Sequence, residues 1–131
     1  MDASSRSITN QIVERLLNHA TDVLALLDYL PRTSTTKQAR AQLPRSVTSI
    51  GANYEEAQAA ESKNDFLHKL QIALKEARES CYWLKLLERS GAIPKERTEK
   101  VIQESLEIRA ILTKAVVTTK KRYGNGNNNG T

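Results

Sequence analysis

At 131 residues the chain is long enough to bury one hydrophobic core but too short for a second with its own ligand cleft, which excludes most multidomain enzymes. Apolar residues at 39%, charged residues at 27%, five Gly and three Pro describe a helical, globular chain, neither disordered overall nor loop-rich like small sandwiches and barrels. The net charge of +5 is local: residues 1–60 carry six cations and six acids, residues 61–107 nine of each, and residues 108–131 hold Arg109, Lys114, Lys120, Lys121 and Arg122 with no acid.

Four helical patterns follow one another. In the first, Ile8, Ile12, Leu16, Val23, Leu27 and Leu30 recur at helical steps, Val13, Leu17, Ala20 and Leu24 widen the stripe, and Pro31 ends it. Ser34, Thr35 and Thr36 can each accept a bond from an orphan backbone N–H and so restart the chain. The second helix runs to about Ala60 with Leu43, Val47, Ile50, Tyr54 and Ala57 on one face. Pro44 is either a kink in it or its true start; the pattern favours the kink, at a cost of about 3 kcal/mol. Ser62 with Asp65 three residues on resembles a capping box, and Gly91 stands where a left-handed residue closes a helix, which bounds the third helix near Ser62 and Ser90. Pro94 suits the first turn of the fourth, whose stripe Val101, Ile108, Leu112 and Ala115 fades near Tyr123. The expected architecture is all-α, an antiparallel up-down-up-down four-helix bundle over residues 6–123, between a disordered N-terminus (1–5) and a disordered polar tail (124–131).

The third helix has two faces to bury. Phe66, Leu70, Ala73, Leu74, Ala77, Cys81 and Leu84 form the core arc, and Asp65, Lys69, Ile72, Glu76, Glu79, Trp83 and Leu86 form a second seam in steps of four and three. A lone bundle needs one apolar stripe per helix, so the second points to another copy of the chain. The alternative is that Trp83 and Leu86 lie under the loop near Gly91 or against an adjacent helix of the same bundle. On the second helix, the small residues Ser46, Ser49, Gly51 and Asn53 are expected to pack closely on the third. Arg45, Ser49, Asn53, Glu56, Lys69, Glu76 and Glu79 would then form a partly buried polar network that specifies register and partner.

The run Arg45-Ser46-Val47-Thr48-Ser49-Ile50-Gly51-Ala52-Asn53-Tyr54-Glu55-Glu56-Ala57, followed by Asp65-Phe66, Lys75-Glu76-Ala77-Arg78-Glu79 and Tyr82-Trp83-Leu84, resembles the bacterial four-helix-bundle proteins related to those encoded in 23S rRNA intervening sequences. The resemblance is densest over residues 45–87. It implies a cytoplasmic bundle that assembles as a homopentameric ring, in a family whose members mostly lack an assigned biochemical activity. It also implies a distant kinship with the accessory variability determinant of diversity-generating retroelements, a pentamer that associates with reverse transcriptase and nucleic acid.

No reaction is expected. The Glu-x-x-His pairs of a di-iron bundle, a Gly-rich phosphate loop, H-E-x-x-H and G-x-S-x-G are all missing from the sequence. Cys81 cannot form an internal disulfide and reads as a small core residue, His68 as a surface or rim residue, and Glu76 and Glu79 as structural pairing groups. No metal or other cofactor is expected, and no apolar run is long enough for a membrane span. The expected activity is binding of RNA or DNA by shape and charge through Arg109, Lys114, Lys120, Lys121 and Arg122. Cations at a helix C-terminus also complement the helix dipole, the purely structural reading of Lys120, Lys121 and Arg122. The rival expectation is a scaffold that docks a partner protein, such as a reverse transcriptase, with no direct nucleic-acid role.

Overall fold

The computed structural model describes residues 3–128, which form four helices: α1 (Ala3–Leu27), α2 (Lys37–Gln58), α3 (Lys63–Ser90) and α4 (Lys95–Asn128). Each junction has a local cause. The last turn of α1 tightens through three i to i−3 bonds, from Asp28, Tyr29 and Leu30 to the carbonyls of Ala25, Leu26 and Leu27, before Pro31 ends the run. In the following loop the buried Thr36 hydroxyl donates to the Pro31 carbonyl, and the Arg40 guanidinium donates to Thr36 Oγ1 and to the Thr33 carbonyl, each at 3.1 Å. Thr36 therefore does not cap α2 with its side chain as expected; its helical backbone and its bond to Pro31 turn the hydroxyl back into the loop.

α2 passes through Pro44, which resolves the alternative of kink or start against a start. Buried Leu43, Val47 and Ile50 on either side offset the lost backbone bond. α3 has the ends expected of it: Ser62 Oγ accepts the Asp65 N–H at 3.0 Å, and Gly91, at φ 76°, closes the helix in the left-handed region with its N–H on the Glu88 carbonyl. The Pro94 carbonyl receives the Arg97 N–H at 2.9 Å as α4 begins, and Thr98 Oγ1 donates to Glu88 Oε2 at 2.9 Å, stapling the α3–α4 turn.

α3 packs extensively on α2 and α4, while α1 meets α2 and α4 more sparsely; the helices form an antiparallel square in chain order. Leu43, Ile50, Leu70, Leu84, Ile108 and Leu112 are buried at its centre. The start of α1, the α2–α3 loop and the end of α4 share one end of the bundle. α1 is described from Ala3 and α4 to Asn128, outside the expected bundle limits at residues 6 and 123. The rest of the expected termini, residues 1–2 and 129–131, lies outside the described residues.

Candidate nucleic-acid interface and subunit seam

The seam expected on α3 lies in the outer groove between α2 and α3. Lys69 Nζ reaches Glu56 Oε2 at 2.8 Å across that groove, Asn53 Nδ2 donates to the Ser49 carbonyl at 2.9 Å, and Trp83 Nε1 approaches Glu79 Oε1 at 3.4 Å. Lys69, Ile72, Glu76, Glu79 and Trp83 are half-buried, Trp83 against the core and with Tyr82 edge-on at 5.3 Å. Leu86 and Tyr82 face solvent. Burial, and next the charge of Glu79, raises the Glu76 carboxyl above the usual carboxylate range. The polar groups do not join into one network: among the described residues Arg45 is exposed and makes no ion pair with Glu76 or Glu79.

Gly51 departs from its expected place. A Cβ built on it would meet Leu16 Cβ of α1 at 3.6 Å, so it faces α1 and not α3. Two residues of helix rotate the chain by about 200°, which carries Gly51 to the flank opposite Ser49 and Asn53.

That flank holds what the periodicity missed. Val13, Leu17 and Ala20 of α1 line an apolar groove of about 290 Å³ with Thr48, Gly51 and Ala52 of α2, and Leu17 and Leu24 are 56% and 41% exposed. The sequence signal was the width of the α1 stripe, broader than one core contact can cover. A second unanticipated feature fastens the other side of α1: the Arg15 guanidinium donates to both Glu104 oxygens at 2.7 Å and lies 3.5 Å from Glu107. The hydrogen bond from Arg15 holds the Glu104 carboxyl below its ordinary range. Nearby, His19 is buried, Nε2 has no hydrogen-bond partner among the described residues, and burial pushes its pKa down.

Along α4, Arg109 is half-buried and Lys114, Lys120, Lys121 and Arg122 are exposed. At 100° per residue Lys114 aligns with Lys121 and Arg109 with Lys120, on different faces; the five cations form a collar over about 20 Å of helix, not a single stripe. Because Arg15 pairs with Glu104 and the two helices are antiparallel, α1 runs out near Val116 of α4, and the collar continues beyond it. Lys63, at the start of α3, lies 5.4 Å from the Tyr123 ring centroid. At this same end the four helices line an open-mouthed cavity of about 570 Å³, bordered among others by Tyr54, Phe66 and Lys114.

Among the described residues there is no group of three His, Cys, Asp or Glu side chains placed to hold a metal ion, and no helix long and apolar enough to cross a membrane. Cys81 is buried, with Sγ 2.7 Å from Ser105 Oγ.

The fold is similar to a crystal structure of a protein of unknown function from the S23 ribosomal protein family of Bacteroides thetaiotaomicron. The two are 39% identical, with a TM-score of 0.73, over 80% of this chain and 97% of that one. No curated protein matches the sequence. Neither the neighbour nor the family description names an enzymatic activity. The profile of the 23S rRNA-intervening sequence protein family matches residues 8–114, most of the bundle, and the chain belongs to that family.

Proposed function

We propose that this chain is a non-enzymatic, ring-forming bundle protein that binds nucleic acid through the cationic end of α4 without sequence specificity. The observation that carries the reading is the placement of charge: the whole excess of +5 falls on residues 108–131, most of it exposed on the part of α4 that outruns α1. Phosphate binding of this kind draws its free energy from counterion release and carries no base information. Assembly multiplies it, since five copies would gather an excess of about +25. The ring needs two different surfaces on each copy, and the α1–α2 groove and the Tyr82 and Leu86 corner of α3 supply two uncovered apolar patches on different faces.

The test is fluorescence anisotropy with labelled RNA and DNA at graded salt. Affinity is expected to fall steeply between about 50 and 200 mM salt. Replacing Lys114, Lys120, Lys121 and Arg122 by Ala is expected to weaken binding and to reduce the salt slope by about one for each phosphate that the variant no longer neutralises. Unchanged affinity in that variant overturns the reading. The apolar α1 groove favours the second reading, a scaffold for a partner protein such as a polymerase. Salt-insensitive capture of such a partner, with no nucleic-acid shift at low salt, distinguishes it.

A further inference from the structure

We infer that the cavity at the α2–α3 loop end of the bundle receives an unstacked base of a single-stranded nucleic acid, while the strand's phosphates follow the cations of α4. The inference rests on the reading above and adds to it a site and a strandedness.

Three observations converge on one place. The cavity, about 570 Å³, lies beside the first turns of α1, just short of where α4 outruns it, and all four helices contribute to its wall. Its lining pairs the half-buried ring of Phe66, backed by buried Tyr54 and Leu70, with the Thr118 hydroxyl and the Gln58 amide, whose Nε2 donates to the Tyr54 carbonyl at 3.3 Å and whose oxygen remains an acceptor. A base makes both demands: a π-face wants an aromatic surface, and its edge wants amide and hydroxyl partners. Lys114 lines the same cavity and is exposed, with Lys121 two turns further along its face of α4, so a strand entering the mouth meets cations at phosphate reach. Of the acids near this end, Glu56 is already engaged by Lys69. A greasy partner side chain would leave the amide, the hydroxyl and the lysine without use. A duplex keeps its bases stacked inside and cannot offer one to the cavity.

The experiment compares a labelled single strand of about 12 nucleotides with a duplex of the same sequence, at equal low salt, on the full chain. The wild-type protein is expected to prefer the single strand by about tenfold or more. Ala115→Leu fills the cavity with aliphatic bulk that offers no π-face, and Phe66→Ala removes a ring. Each should erase most of that preference while duplex affinity and the salt slope stay as they were. Circular dichroism checks the fold of Phe66→Ala; Ala115→Leu exchanges one good helix former for another. Equal wild-type affinity for single strand and duplex, or a preference that survives both substitutions, overturns the cavity assignment and leaves the charge reading standing. Binding of neither nucleic acid at low salt overturns both.

Discussion

Gly51 and His19 show how single positions depart from what their residue type suggests. Mid-helix glycine invites an explanation by close backbone approach, yet a Cβ at Gly51 would sit 3.6 Å from Leu16 Cβ, an ordinary contact. Its backbone is helical with negative φ. Gly51→Ala is therefore expected to stabilise the bundle by about 0.5–1 kcal/mol, read as a rise in urea midpoint at constant slope; a loss would mean that the flank is tighter than it looks. His19 sets a pH dependence. Burial dominates and lowers its pKa from 6.5, Arg15 lowers it further, and Glu104 and Asp22 oppose. The unfolded chain thus binds the proton first. Stability is complete above the ordinary histidine value and declines as pH falls below it. Melting temperature between about pH 7 and pH 5 should drop in the wild type and flatten in His19→Leu. An equally steep drop in the variant removes His19 as the cause. Glu104 acts in a separate window: its depressed carboxyl loses its contribution only as pH falls below the ordinary carboxylate range.

At the level of the helices, what is legible in the sequence is local and what is not is distant. The ends of α3 can be read directly because Ser62, Asp65 and Gly91 act within four residues of the ends they cap. The core stripes are legible for the same reason, since period alone names Leu70, Ala77 and Leu84. Period does not say which neighbour flanks a stripe, so the broad arc of α1 reads as core although Leu17 and Leu24 remain wet. Trp83, expected against a sister chain, already packs on its own core, and only Leu86 and Tyr82 beside it stay uncovered. The clamp between Arg15 and Glu104 joins positions 89 residues apart, and nothing in a linear pattern announces it. These side chains are 38% and 30% exposed, so water screens the pair, and a double-mutant cycle with Arg15→Ala and Glu104→Ala should return a coupling of about 0.5–1 kcal/mol. Hydrogen exchange in α1 should quicken in either single variant. Unchanged exchange would show that packing on α2 alone holds α1 in place.

For the molecule as a whole, the uncovered groove on α1 and the outward corner of α3 make assembly the property to measure first. Static light scattering of the wild-type chain is expected to give a multiple of the protomer mass. Leu17→Asp with Leu24→Asp should reduce it to one protomer without loss of helicity, because both side chains are already substantially exposed and neither supports the core. A wild-type monomer would remove the ring and the pooled charge together. An assembly untouched by the double substitution would move the contact to the α3 corner. An even number of alternating helices also returns the polypeptide to the pole where it began, with α4 reaching about 18 Å past Ala3. A flexible bridge long enough to span that overhang would close the chain into a circle, and new ends could be cut in the turn after Gly91, at the opposite pole. Such a circular permutant preserves the packing of all four helices while anchoring the cationic collar on both sides. Its grip on a strand, set beside that of the linear form, measures how much of the binding depends on α4 projecting past its neighbours.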